Sequence, residues 1–563
     1  FILTIITNYI NHPELIFSER IVESILAGVT IAMATIPEEI PVVLTVFLAM
    51  GAWDLTKKKT LTRNMKTIET LGAVNVLCTD KTGTLTENKM EIQDMYEYSD
   101  TFIETSYLSC PIVAYDSMEI AIKEYCNSKK AIRKKIEITK EYAFTPETKM
   151  TGQIIDNKLL CVKGAYESVL PLCNLEQEIY NKIKDKIDNY SKEGFRVLAV
   201  AKQNNLETIP STLFESKLDF EGLIALYDPP RYGVETSLSE CYSAGVRVIM
   251  ITGDNGETAK GIAKKINLEN YEQVITGNEL EKMSDEELIE AVKTVNIFAR
   301  VYPNHKMRIV NALQKDNKVV AMTGDGVNDA PALKKSNVGI AMGERGTNVA
   351  KESADLILLD DNFNTIVKTI ENGRNIYKNI KKAISYIIAI HIPIALLSLF
   401  VPMFKLPTLL LPIHVMLLEL LIDPTSSIIF QRIKPSKDIM KEQPRNIKES
   451  IINLKSVLSS ISKGFLIFIV VFITYFLVSK MKDTSLAITI AYSTLVLSIM
   501  LITYQLKGDE FTLKAFVKSF KDKVSLLVNL GVILGLIILV YVPIFNKIAN
   551  TMPLELKCWI LII

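Results

Sequence analysis

Asp80 stands in Cys78-Thr79-Asp80-Lys81-Thr82-Gly83-Thr84, directly after the apolar run 74–78. Such a run, bounded by turn-forming residues, predicts a buried strand. An acidic residue at the carboxyl end of a central parallel strand lies where open α/β sheets hold their ligands. Lys81 adds positive charge, and Gly83 permits close backbone approach. Thr82 follows where a second carboxylate could have served as general acid and base. A carboxylate nucleophile without that neighbour can form an acyl phosphate but hydrolyses it poorly. The intermediate would persist long enough to drive another process. Two further apolar runs end in the same kind of chemistry. Residues 246–251 lead into Thr252-Gly253-Asp254, and 319–322 lead into Thr323-Gly324-Asp325-Gly326-Val327-Asn328-Asp329. Residues 338–342 and 356–359 read as further strands, with helical patterns between them as in βαβ units. One Thr-Gly-Asp is most often an ordinary turn, but three polar strand ends can converge on one crevice.

The elements that must position these groups are of two kinds. The chain has 563 residues, 48% hydrophobic and 23% charged, with a formal net charge of +1. It is too long for one domain and too apolar for a wholly soluble protein. Apolar stretches at 21–53, 384–404, 408–430, 456–479, 485–506 and 524–545 are each near the roughly 20 residues needed to cross a bilayer. Lysines and arginines crowd alternate loops: Lys57 to Lys59, Lys378 to Lys382, Arg432 to Lys448, and Lys507 to Lys523. By the positive-inside rule these loops face the cytoplasm, and 54–383 becomes one large cytoplasmic insertion. Within it, 92–224 carries its own strand and helix patterns and reads as an inserted α+β domain. Asp228-Pro229-Pro230-Arg231 marks the return, as a stiff hinge. The seven cysteines form no C-x-x-C pair, so neither a disulfide framework nor a thiolate metal site is expected. No P-loop motif is present. The apolar stubs 1–10 and 553–563, with no initiator Met, read as cut ends of a longer protein.

Asp80-Lys81-Thr82-Gly83-Thr84, Thr252-Gly253-Asp254 and the run Thr323 to Asp329 resemble the signatures of the P-type ATPases, cation pumps built on a haloacid-dehalogenase-like phosphorylation domain. The resemblance covers essentially the whole chain. Pro37-Glu38-Glu39-Ile40-Pro41 is similar to the membrane motif of the calcium-pump-like branch, nearest its bacterial members. The implied fold is a transmembrane α-helical bundle joined to a Rossmann-like α/β phosphorylation domain with an inserted α+β nucleotide-binding domain. The implied boundaries are 1–56 for membrane helices including the unwound ion-site helix, 57–91 and 227–378 for the phosphorylation domain, 92–226 for the nucleotide-binding domain, and 379–563 for further membrane helices, the last one truncated.

By resemblance, Asp80 attacks the γ-phosphate of ATP. The Asp80 and Asp325 carboxylates and the Thr82 main-chain carbonyl would hold Mg²⁺, a hard oxygen-ligand site. Lys306, in Asn304-His305-Lys306, would meet the phosphate; taken alone it would read as a solvated helix lysine. Thr252, Gly253 and Asn328 would hydrogen-bond phosphoryl oxygens, Asp254 belongs to the same catalytic loop, and Asp329 would support the site. Lys81 reads as structural. In the inserted domain Phe144 would stack on adenine, with Lys149 following it. Lys163 and Gly164 match a Lys-Gly-Ala nucleotide motif, and Arg196 matches the nucleotide-binding arginine.

Pro37 and Pro41 remove backbone donors from one span and should unwind it. Carbonyls freed at mid-membrane can coordinate a cation. Glu38 and Glu39 lie inside that break, and intramembrane carboxylates are functional candidates by default. The resemblance makes Glu38 the gating carboxylate and puts Glu39 where the family carries glycine. Glu419 and Asp423 share a helix face and match positions held by an amide and an acid; Pro424 disturbs the helix there. In the second complete span, 384–404, residues 387–390 are Ile, Ile, Ala and Ile where the resembled calcium pumps carry an amide and an acid. Only His391 offers a polar group, and a lone His in an apolar helix is more often a packing residue than a ligand. A single cation per cycle is therefore expected, held by Glu38, Glu419, Asp423 and carbonyls near 36–39, with Glu39 alongside. Oxygen ligands favour Ca²⁺ first, then Mn²⁺ or Mg²⁺.

The expected partners are the transported cation, ATP and the lipid bilayer, with no nucleic acid. The expected location is a bacterial plasma membrane, catalytic domains inside. The family's actuator domain carries a Thr-Gly-Glu loop that activates water against the phosphoaspartate; Thr151-Gly152-Gln153 lies in the inserted domain and lacks the carboxylate. An N-terminal actuator region is thus expected in the full-length parent. The alternatives are a lipid flippase of the same superfamily, which would not require paired acids at the break, and a non-catalytic nucleotide-binding membrane regulator, which would not require Asp80 with Asp325. ATP turnover by the 563-residue chain alone is expected to stay at background; rapid ion-stimulated hydrolysis would contradict this.

Overall fold

A computed structural model of the protein describes residues 2–11, 16–114, 116–129, 137–145, 147–480, 483–507 and 522–562. The run that ends in Asp80 forms the strand Val76–Asp80, near the middle of an eight-stranded sheet. In spatial order the strands are Thr60–Thr62, Leu356–Leu358, Val338–Met342, Val320–Gly324, Val76–Asp80, Arg247–Ile251, Ile297–Ala299 and Val274–Thr276. All neighbours are parallel except the edge pair Thr60–Thr62 and Leu356–Leu358. A parallel sheet covered on both faces needs apolar residues on both, which is why these strands read as continuous apolar runs. Leu77 points into a core with Val234, Leu238, Ile262 and Phe363. Its neighbours Val76 and Cys78 point the other way, against Ile309, Leu313 and Leu333. Cys78 is level with Ile249 on one side and Met322 on the other, and Asp80 is level with Ile251. This register makes the chain leave three adjacent strands at the same edge, at Asp80, Thr252 and Asp325.

The inserted region forms a second sheet of six antiparallel strands, ordered Glu91–Glu97, Asp219–Tyr227, Arg196–Gln203, Leu159–Ala165, Met150–Ile155 and Ile138–Tyr142. Its core packs Ile183 and Ile187 of the helix Gln177–Lys192 against Met150, Val162 and Leu223. The entering and returning chains are clamped together. Thr86 pairs with Pro230 in an antiparallel bridge, and its hydroxyl donates to Asp228 at 2.5 Å. The Arg231 N–H donates to the Leu85 carbonyl at 2.9 Å.

Among the described residues, five helical stretches are long and apolar enough to cross a membrane: Phe17–Lys57, Phe363–Met403, Leu454–Ser479, Thr484–Lys507 and Lys523–Tyr541. The first is broken, as its prolines require. The helix Phe17–Thr35 stops, residues 36–38 are non-helical, and Glu39–Lys57 begins a new helix. The stretch 408–430 is a 13-residue helix, Pro412–Pro424, followed by a wider-wound turn, Thr425–Phe430. The change of winding comes immediately after Pro424, where a backbone donor is lost. The side chains of 421–427, Asp423 among them, lie outside the described residues.

The helix Phe363–Met403 has 41 residues, about 60 Å at 1.5 Å per residue. Phe363, Ile366 and Ile370 pack under the large sheet, while Ile384, Ile387 and Ile394 pack inside the membrane bundle. Its contact with Leu454–Ser479 depends on Gly464. A Cβ there would lie 2.4 Å from the Ala389 carbonyl oxygen and 2.7 Å from the Ile392 Cβ. Small residues let membrane helices approach in this way. Gly464→Leu is expected to push the two helices apart and destabilise the bundle by about 1–3 kcal/mol, read as a lower Tm of the detergent-solubilised chain; an unchanged Tm would show that the contact is not limiting.

Candidate active site and membrane site

The strand edge collects the acidic residues as the sequence pattern implied. Asp80 Oδ1 accepts from the Thr82 N–H at 3.4 Å, and Oδ2 accepts from Lys306 Nζ at 2.7 Å. The same ammonium donates to Asp329 Oδ1 at 2.8 Å. Lys306 occupies the first turn of the helix Pro303–Lys315, whose Pro303 sits where a backbone donor is not needed. It is a buried bridge between two carboxylates, so the reading of Lys306 as a solvated lysine fails here. Asp329 turns its other oxygen to its own loop, accepting from the Asp325 and Gly326 N–H groups at 3.1 Å each. Thr323 Oγ1 accepts from the Asp80 N–H at 3.1 Å. The Asp80 side chain retains 22% exposure, enough to be reached from outside. Gly253 and Asn328 are exposed in the loops that follow the two strands flanking Val76–Asp80, whereas Thr252 is buried and its hydroxyl accepts from the Asp254 N–H at 3.1 Å.

Asp254 has a different environment from the other acids. It is buried and takes Lys81 Nζ at 2.5 Å and Arg196 Nη2 at 3.4 Å. Burial would raise this carboxyl, but the Lys81 ammonium and the Arg196 guanidinium outweigh it and hold it below the usual carboxylate range. Lys81 is therefore committed to Asp254 and not to Asp80, despite its place next to Asp80 in the chain. Burial likewise opposes the Lys306 ammonium, yet the adjacent Asp80 and Asp329 hold its pKa above the ordinary lysine value. Asp325 moves the opposite way to Asp254: burial, then the charges of Asp80 and Asp329, push it up. Asp80 and Asp329 share one ammonium, with Asp325 a third carboxylate close by, and the crowded negative charge fits a divalent cation. Among the described residues no three acidic, His or Cys side chains form a closed metal cage. That is the ordinary situation for Mg²⁺, which takes one or two carboxylates and keeps waters and phosphate oxygens.

The cleft between the sheets has a volume of about 650 Å³ and is lined by Phe144, Lys149, Lys163, Gly164, Arg196 and the Gly253-Asp254 turn. The structure thus brings the nucleotide candidates of the inserted domain to the loop after Ile251. Phe144 is 62% exposed on the cleft wall, an expensive place for a phenyl ring without a partner to cover it. Gly164 admits the chain of Lys149: a Cβ would meet the Lys149 carbonyl oxygen at 2.6 Å. Lys163 is buried against Glu119 at 2.8 Å and the Thr151 hydroxyl at 2.7 Å. Sequence reasoning missed Glu119, whose only signal was its place at the start of an amphipathic helix.

It also missed a buried anchor behind the loop that follows Asp80. Asp361 accepts the N–H groups of Gly343, Glu344 and Arg345 at 2.6, 3.1 and 3.0 Å, and Arg345 Nε at 3.2 Å. Arg345 then donates to the Gly83 carbonyl, which also accepts from Arg231 Nη2 at 3.1 Å. Gly83 has φ +73° and no room for a side chain against the Arg345 guanidinium. The Asp228-Pro229-Pro230-Arg231 turn was visible in the sequence, but its contact with Gly83 was not.

In the membrane the two acids of the break separate. Glu38 is exposed, whereas Glu39 is buried at 3% exposure with its Oε2 3.3 Å from His391 Nε2. Consecutive residues at a helix start point in different directions, so only one of the pair faces the long helix. The lone-packing reading of His391 is replaced by this pairing. Glu419 is half-buried on Pro412–Pro424.

Residues 74–337 match the haloacid dehalogenase-like hydrolase family, and residues 407–563 match the family described as cation transporting ATPase, C-terminus. The chain is 32% identical to the calcium-transporting ATPase of Bacillus subtilis, over 96% of this chain and 67% of that protein. The chain belongs to the P-type cation-transporting ATPases, in the calcium-pump-like branch. It is also similar to calcium-transporting ATPase 1 of Bacillus cereus, at 35% identity over 76% of this chain and 53% of the relative. Human calcium-transporting ATPase type 2C member 1 shares 33% identity over 79% of this chain and 54% of its own length. The chain spans 53% to 67% of these relatives. As a P-type ATPase with its apolar helices, it is an integral membrane protein.

Within this P-type ATPase the Lys81–Asp254 pair offers a direct test of what holds the strand edge. Lys81→Met leaves a buried carboxylate short of one cation, and is expected to destabilise the fold by about 3–5 kcal/mol. Adding Asp254→Asn should restore a large part of that loss in a double-mutant cycle of Tm; independent, additive effects would contradict the pairing.

Proposed function

We propose that this chain transfers the γ-phosphoryl group of ATP to Asp80 and uses the resulting aspartyl-phosphate to move a divalent cation across its membrane, with Ca²⁺ as the first choice. The observation that carries this reading is Lys306, held between Asp80 and Asp329 at the edge of a sheet that rests on the same 41-residue helix as the membrane bundle. The names of the relatives support calcium. The basic loops support a cytoplasmic position for both sheets, and a bacterial plasma membrane is the setting proposed.

The chemistry follows from the side chains. Asp80 Oδ2 is the oxygen nearest Lys306, and the ammonium can follow the incoming phosphoryl group as charge shifts onto it. A new P–O bond forms to the carboxylate as the bond to the ADP oxygen breaks. The Gly253 N–H and the Asn328 side chain, on exposed residues of the two neighbouring loops, would donate to phosphoryl oxygens. Phosphoryl transfer needs positioning and charge neutralisation more than covalent chemistry. Asp80, Asp325 and the Thr82 carbonyl would hold Mg²⁺, which supplies neutralisation of the phosphate oxygens. Phe144, Lys149, Lys163 and Arg196 would hold the nucleotide so that its phosphates reach the edge. Thr82 and Thr84 flank Asp80 without offering a base for water, so the acyl phosphate can outlast its formation. Glu39, buried against the long helix, weighs for a cation over a lipid as cargo.

Brief incubation with γ-labelled ATP and Mg²⁺, followed by acid quench, checks the assignment. Wild-type chain should retain hydroxylamine-sensitive label. Asp80→Asn should retain none, and Lys306→Ala should slow labelling by about 10²–10³-fold, as loss of a transition-state charge does. Label that survives in Asp80→Asn would overturn the reading.

A further inference from the structure

The helix break and the long helix bring together two buried polar groups that phosphoryl transfer does not use. Glu39 opens the second half-helix at 3% side-chain exposure, and His391 faces it at 9%. Their Oε2 and Nε2 atoms are 3.3 Å apart. Among the described residues neither imidazole nitrogen of His391 makes a hydrogen bond. A buried ring nitrogen without a hydrogen bond is costly in an apolar bundle, and such a group calls for a ligand.

The separation suits a shared ion. Two ligand atoms at about 2.0–2.2 Å from one metal lie roughly 3.0–3.4 Å apart for angles between octahedral and tetrahedral. The break supplies more oxygen. The helix Phe17–Thr35 ends just before it, so its last carbonyls lack intrahelical donors; the Met33 carbonyl accepts from the Ile36 N–H at a long 3.4 Å. Ligand type then selects the ion. Ca²⁺ takes six to eight oxygens, whereas a neutral imidazole suits first-row transition metals.

We infer that Glu39 and His391 form a nitrogen–oxygen ligand pair that makes the transported-ion site prefer a first-row transition-metal dication such as Mn²⁺ over Ca²⁺. This rests on the cation-transport reading and narrows its cargo. Gly464 contributes indirectly, because its missing side chain lets a third helix approach the backbone on either side of His391.

The test uses the full chain in detergent with excess Mg²⁺, so that Mn²⁺ does not report on Asp80 and Asp325. Bound Mn²⁺ should show electron spin-echo modulation from a directly coordinated ¹⁴N, and His391→Asn should abolish it. In ATP phosphorylation assays, wild type should half-saturate at lower free Mn²⁺ than free Ca²⁺. His391→Asn should raise the Mn²⁺ requirement by about tenfold or more, as changes around metal ligands do, and the Ca²⁺ requirement by less than about threefold. Ca²⁺-dependent labelling reports that the variant is folded; if it is not, Glu39→Gln carries the test, with the same rise for Mn²⁺ expected. Absence of nitrogen modulation in wild type, or parallel shifts for Mn²⁺ and Ca²⁺, would overturn the ligand pair. Phosphorylation indifferent to every added cation would overturn the transport reading, and the nitrogen signal would still decide the ligand pair by itself.

Discussion

Like-charge crowding at one sheet edge is the constraint around which the rest is arranged. Asp80, Asp325 and Asp329 meet there with a single ammonium, Lys306, which bonds two of them. Coulomb repulsion among carboxylates falls slowly with distance in a partly buried site. It adds to burial, the larger cause, in raising the pKa of Asp325, and it leaves the edge short of positive charge until a cation arrives. The neighbouring Lys81 does not relieve this. It is committed to Asp254, on the next strand's loop. Removing that lysine from the edge keeps the charge deficit, and a site with a deficit selects a charged ligand where a neutralised one would not.

The deficit is useful only if the edge is rigid, and the backbone around it is held from several sides. Gly83 accepts from Arg231 and Arg345, one from the hinge and one from the anchor at Asp361. The loop after Asp80 is thereby joined by hydrogen bonds to the hinge of the inserted sheet. The sheet is also supported from below. Phe363, Ile366 and Ile370 carry the sheet, and the same helix continues into the bundle. Arg374 on that helix donates to the carbonyls of Ala244, Ile439 and Glu442, which ties the sheet and the loop after Phe430 to one side chain. A stiff helix with contacts at both ends offers a direct mechanical route between the two sites.

What the sequence made legible follows from period and punctuation. Buried parallel strands announce themselves as unbroken apolar runs, and Asp80, Thr252 and Asp325 were found because each ends one. The membrane break was legible because Pro37 and Pro41 cannot donate. What stayed hidden depends on direction or on distance along the chain. Lys306 lies 226 residues from Asp80, so nothing local distinguishes it from a surface lysine, and it was reached only through the family resemblance. Arg345 and Asp361 look like loop residues until the strand Val338–Met342 places them behind Gly83. Glu38 and Glu39 differ only in which way a helix start points, and a pattern of residue types carries no such angle.

That angle changes the meaning of the membrane motif. With Glu38 turned out and Glu39 turned in, the acid that meets the long helix is the one standing where the family carries glycine. Glu39 and His391 complement each other: the carboxylate supplies negative charge, and the imidazole supplies a nitrogen that an oxygen cage lacks. His391 lies on the helix that also carries the large sheet, whereas Glu39 opens a separate half-helix. A ligand pair divided between two helices binds an ion in the arrangement that brings its halves together, and a change in their separation would weaken that binding.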